Sequence, residues 1–145
     1  MSAQQVTRST VVTAAPQAVF DLLADFRRHP EIDGSGSVRK ATSGPDRLTL
    51  GARFGMQMRI GVPYPIRNEV VEFDEPRQIA WRHFNRHVWR YQLDEVDGGT
   101  RITETFDYAP SRSPKLLEAM GFPAKNATGI EATLRRLEER FGVPA

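Results

Sequence analysis

From Phe54 to Tyr108 apolar and polar residues alternate in short runs separated by turn formers, and beyond Pro110 the apolar spacing becomes helical. Few architectures satisfy both halves. Period two sends successive side chains to opposite faces of a sheet, so Phe54, Met56, Met58 and Ile60 against Gly55, Gln57 and Arg59 need a dry layer on one side only. A helix with one apolar stripe supplies it, and Ala127, Ile130, Leu134, Leu137 and Phe141 share one face of a segment from about Ala124 to Phe141. The expected class is α+β, with a curved antiparallel sheet of six or seven strands gripping a long C-terminal helix.

Punctuation along the chain fills in the rest. A strand from Val6 to Thr13 stops at Ala14-Ala15-Pro16, and Pro16 opens a helix to about Phe26 with Val19, Phe20, Leu22 and Leu23 on its apolar face. A second short helix or turn covers His29 to Asp33, and Asp33-Gly34-Ser35-Gly36 then reads as a flexible loop. Gly61, Pro63 and Pro65 end the Phe54 strand, after which strands are expected at Arg67–Phe73, Arg77–His83, His87–Val96 and Arg101–Tyr108. Ser113 and Pro114 suit the N-cap and first position of a helix that Gly121-Phe122-Pro123 interrupts.

Turn lengths then set the register. A Gly98-Gly99 hairpin places Leu93 opposite Glu104, Tyr91 opposite Phe106 and Trp89 opposite Tyr108. A three-residue Phe84-Asn85-Arg86 loop sets His83 against His87, Trp81 against Trp89 and Ile79 against Tyr91. A three-residue Asp74-Glu75-Pro76 loop adds Phe73, Val71 and Glu69 to the same face. The expected ligand-binding surface is thus Phe54, Met56, Met58, Val71, Phe73, Trp81, Trp89, Tyr91, Phe106 and Tyr108, joined by Met120 and Phe122 from the interrupted helix. Large aromatics with several methionines suit an adaptable pocket.

Polar residues on a dry face cost free energy unless partnered, so Glu69, His83 and Glu104 are the candidates for chemistry. Glu104, set between Ile102 and Phe106, reads either as a ligand-orienting acceptor or general base, or as a barrel-end carboxylate reaching water. The histidine pair reads as an acid/base pair or as hairpin-end residues at a solvated rim, and no third ligand at fixed spacing supports a metal.

At 145 residues the chain is read as one domain, 1–145. It has no cysteine, which excludes disulfides and thiolate chemistry and suits the cytoplasm. No basic-then-apolar leader and no apolar run long enough to span a bilayer argue against stable membrane insertion. Twenty Lys and Arg against eighteen Asp and Glu, scattered singly, argue against nucleic acid. G-x-G-x-x-G, P-loop, H-E-x-x-H and G-x-S-x-G patterns are missing, so no cofactor is expected.

The opening Thr13-Ala14-Ala15-Pro16 with Val19-Phe20 and Leu22-Leu23-Ala24-Asp25, the His29-Pro30-Glu31 turn, Ile79-Ala80-Trp81, the Asp97-to-Arg101 hairpin and the Pro114 helix occur in a familiar order. In that order they resemble the helix-grip fold of START lipid-transfer domains, birch-pollen-type allergens and bacterial polyketide cyclase/dehydrase (SRPBCC) proteins, over nearly the whole chain. The resemblance implies a small hydrophobic ligand, lipid-, polyketide- or aromatic-like, held in a cavity between sheet and helix. Its enzymatic alternative is a cofactor-free cyclase, aromatase or dehydratase using Glu104 or His83 as acid or base.

Overall fold

The computed structural model describes residues 4–36, 38–83 and 86–145. Phe84 and Asn85 of the expected loop, and the side chain of Ile60, lie outside the described part. Strand β1 (Gln5–Val12) leads into α1 (Pro16–Leu23), a single 3-10 turn (Phe26–Arg28) and α2 (His29–Ile32). Six strands follow: β2 (Val38–Ser43), β3 (Arg53–Ile60), β4 (Val62–Asp74), β5 (Gln78–His83), β6 (Val88–Val96) and β7 (Gly99–Asp107). Two helices close the chain, α3 (Pro114–Ala119) and α4 (Phe122–Phe141). All seven strands form one antiparallel sheet in the order β1-β7-β6-β5-β4-β3-β2.

Local chemistry explains the helices. Pro16 and Pro114 occupy first turns, where a missing N–H costs nothing, and the Ser113 hydroxyl accepts from the Leu116 amide. Gly121, at φ +79°, breaks the helix as expected and lets α4 start in a new direction. The inner face of α4 buries Ile130, Thr133, Leu134 and Leu137. That helix lies against β1 and β7 and is tied to β1 by Thr10, whose hydroxyl donates to Glu138 at 2.6 Å, and by Arg8 paired with Glu131 at 3.0 Å.

Two registers and one strand boundary differ from the sequence reading. The β6–β7 turn is Asp97-Gly98, with Val96 opposite Gly99, so every pair moves by two: Tyr91 faces Glu104, Trp89 faces Phe106 and Leu93 faces Ile102. Gly99 is needed for another purpose, because a Cβ there would stand 1.8 Å from the Val12 carbonyl oxygen at the end of β1. A two-residue shift preserves faces and changes partners. Strand β4 does not wait for Arg67. It runs through both prolines from Val62, opposite β3.

The third difference is a β-bulge between Val70 and Glu72. The turn places Phe73 opposite Ile79, but Val71 is the extra residue, and beyond it Val70 pairs with Trp81 and Asn68 with His83. Ile66, Asn68 and Val70 therefore face inward and are buried. Glu69, expected inside, pairs on the other face with Arg82 at 3.3 Å and Arg53 at 3.9 Å.

Candidate functional site

Between the sheet and the α3–α4 arm lies a cavity of about 820 Å³. Strand β3 contributes Phe54, Met56 and Met58, β5 contributes Trp81 and His83, β6 contributes Trp89 and Tyr91, and β7 contributes Glu104 and Phe106. Met120 and Phe122 border it from the helical side. These positions follow from parity, since each sits on the inward phase of its strand. Four expected residues lie elsewhere. Val71 is the bulge residue, Glu69 is on the opposite face, Phe73 packs edge-on against Phe20 at 5.4 Å, and the Tyr108 hydroxyl donates to Glu118 of α3 at 2.8 Å.

The structure also brings in residues that strand patterning did not reveal. His29 is buried, stacks on Trp81 with centroids 4.8 Å apart, and holds Leu23 O through Nε2 at 2.8 Å. Its pKa is lowered, chiefly by burial. Asn68 enters with the bulge and Tyr64 with the longer β4. Thr133 of α4 accepts from the Gly34 amide at 2.9 Å. The Asp33–Gly36 loop borders the cavity but is tied down, unlike the flexible loop expected. The Asp33 carboxylate accepts from the amides of Ser35 and Val38 at 3.2 and 3.1 Å and from the Ser35 hydroxyl at 2.8 Å. The aspartate four residues past His29 and the glycine after it were the available signal, because Asx turns cap such loops.

Glu104 is the most confined of the described polar residues that border the cavity, 3% exposed. Its Oε2 accepts from the Tyr91 hydroxyl at 2.9 Å, and its Oε1 is buried with no partner among the described residues. Burial pushes its pKa up to about 8, with the Tyr91 hydrogen bond opposing and Asp33 adding to the rise. The carboxyl is therefore protonated at neutral pH and able to donate. Such a group orients a ligand oxygen or transfers a proton to it.

His83 and His87 lie at the other end of the β5–β6 pair with rings stacked 4.5 Å apart. Burial lowers His83 to about 4, and burial with the neighbouring His83 lowers His87 to about 3. Both are neutral and partly buried rather than solvated at a rim. His87 also packs against Phe106 at 5.3 Å, and its Nδ1 is buried without a partner among the described residues. Among the described residues no three histidine, aspartate or glutamate side chains converge as metal ligands.

Residues 3–142 match the model of a family described as polyketide cyclase / dehydrase and lipid transport. An uncharacterized protein of Mycobacterium tuberculosis, Rv0088, is 38% identical over 143 residues, covering 94% of this chain and 64% of that protein. The chain thus spans less than two thirds of that relative's length. Of solved structures, protein Ms6760 from Mycobacterium smegmatis is similar with a TM-score of 0.68 at 23% identity, covering 94% of this chain and 92% of that one. The AHSA1-like protein from Aeromonas hydrophila has a TM-score of 0.65 at 17% identity, covering 94% and 93%. Likeness at those identities establishes the shared fold.

Proposed function

Because the chain belongs to the polyketide cyclase / dehydrase and lipid transport family, we propose that it binds a small hydrophobic ligand inside the sheet–helix cavity. The observation that carries the reading is the cavity itself: about 820 Å³, walled by Phe54, Met56, Trp81, Trp89 and Phe106, with its few polar groups gathered at Glu104–Tyr91 and at the histidine pair. That volume falls in the range of sites for drug-sized molecules, and burial of apolar surface supplies the affinity at about 25 cal/mol per Å². Glu104 and Tyr91 orient the ligand. The exposed side chains of Leu116 (56%) and Met120 (62%), which also border the cavity, mark α3 as the side of entry.

Native mass spectrometry of the freshly purified protein tests this, together with titration of the uncharged dye N-phenylnaphthylamine. A co-purified apolar compound, or saturable dye binding that quenches Trp81 and Trp89, is expected. A protein that carries no compound and leaves the dye in water would overturn the reading.

One observation favours a second reading. A protonated carboxyl with a pKa near neutrality, hydrogen-bonded to a phenol in a largely apolar cavity, is equipped for proton transfer between carbon and oxygen. The chain would then act as a cofactor-free cyclase or dehydratase with Glu104 as acid and base. His83, lowered to about 4, is a weak base and the poorer candidate. Turnover of a reactive poly-carbonyl substrate unchanged by Glu104→Gln would eliminate that assignment.

A further inference from the structure

Two buried polar atoms in the cavity wall have no partner among the described residues: Glu104 Oε1 and His87 Nδ1. Both belong to side chains bordering the same space. Leaving a polar atom buried and unpaired costs about 1–3 kcal/mol, so a binding cavity that retains two of them presents two points of attachment for its ligand. Their separation follows from the register. Tyr91 stands directly opposite Glu104, and His87 lies four residues earlier, immediately before β6, where it also borders the cavity. Four residues of strand span about 13 Å. Between them the wall is aromatic, with Trp89 over Phe106 at 4.8 Å and His87 against Phe106 at 5.3 Å.

We propose that the cavity is built for an elongated, uncharged, largely apolar molecule with an oxygen function at each end, one end held by Glu104 and Tyr91 and the other by His87. This inference rests on the ligand-binding reading above and specifies the class of ligand. The aromatic stretch favours a flat or conjugated body, which stacks on Trp89 and Phe106 at little cost in conformational freedom. At the Glu104 end, the protonated carboxyl donates to a carbonyl or accepts from a hydroxyl. At the other end His87 Nδ1 does either, according to tautomer.

Charge at either end is disfavoured by the wall. Lys125, the cation that borders the cavity among the described residues, is exposed on the first turns of α4, and Asp33 would repel a carboxylate. A buried ion without a partner costs far more than a neutral polar group.

The test uses trans-stilbene, its para-monohydroxy and para,para-dihydroxy derivatives, and its para,para-dicarboxylate, each titrated into the intact chain and followed by quenching of the tryptophans. Each hydroxyl is expected to tighten binding about tenfold, and the dicarboxylate to bind at least about a hundredfold more weakly than the dihydroxy compound. His87→Phe should make the dihydroxy and monohydroxy compounds equal while leaving stilbene unchanged, and Glu104→Met should do the same if it folds. Equal affinity for stilbene and its dihydroxy derivative, tightest binding of the dicarboxylate, or no stilbene binding where N-phenylnaphthylamine still binds would each overturn the two-ended ligand and leave the cavity reading intact. Failure of the dye and all four stilbenes would overturn both.

Discussion

Glu104 and Tyr91 stand directly opposite one another on β7 and β6, and their side chains form one hydrogen bond of 2.9 Å that satisfies only one of the two carboxyl oxygens. The fold therefore holds the carboxyl in its protonated form. An unfolded chain ionises Glu104 near 4.5, and the folded chain near 8. A raised pKa contributes stability that is complete below 4.5 and is lost as the pH rises to about 8. Glu104→Gln removes this dependence. Urea titrations at pH 5 and pH 9 should show the variant gaining on the wild type by on the order of 4 kcal/mol between the two conditions. Parallel curves would show that the carboxyl is not buried as described.

The histidines act in the opposite direction. His83 and His87 have pKa values lowered from 6.5 to about 4 and about 3, and His29 is lowered as well. The unfolded chain takes up protons below 6.5 that the folded chain refuses, so the stability these groups confer is complete above 6.5 and drains away toward pH 3. His87→Phe should flatten the fall in urea midpoint between pH 6.5 and pH 4, measured against the wild type.

Filling the cavity separates binding from folding. Met56 is buried at its wall, and Met56→Trp places extra bulk in the space a ligand would use. Dye binding should fall at least about tenfold, while the cost in stability stays within the about 1–3 kcal/mol of an overpacked core position and the chain remains folded. Undiminished binding would place the ligand elsewhere.

Gly34 is held against α4 so closely that a Cβ would lie 2.4 Å from both Ala132 Cβ and the Thr133 amide nitrogen. Gly34→Ala must push the loop off the helix and should cost about 2 kcal/mol in chemical denaturation. The hydrogen bond from Gly34 to Thr133 would be lost with it.

The Tyr108 hydroxyl fastens α3 to the end of the sheet through Glu118. Tyr108→Phe should lower global stability by no more than about 1 kcal/mol but speed amide exchange in residues 114–119 and hasten dye release. Unaltered exchange there would show that α3 is held by packing alone.

Faces were legible in the sequence and partners less so. The inward phase of Trp81, Trp89, Tyr91, Glu104 and Phe106 followed from period two, which survives a shift of two residues, and the His83–His87 pairing followed from the length of the loop between them. The Tyr91–Glu104 contact did not, because the sequence does not say which glycine of the pair serves the turn and which makes room for Val12. Asn68 was hidden for a related reason: two adjacent valines give no sign which is the extra residue of a bulge. His29 lies on a four-residue helix too short for periodicity to place it.

The bulge at Val71 makes the length of β4 a determinant of what the chain can hold. With Val71 paired in regular register from Phe73, Arg67 and Glu69 would turn inward and Ile66, Asn68 and Val70 outward. In relatives of this chain, a bulge lost without its residue, or a residue lost while the bulge stays, would convert an oily chamber into a charged one, and the bulge is where divergence of ligand preference should first be sought.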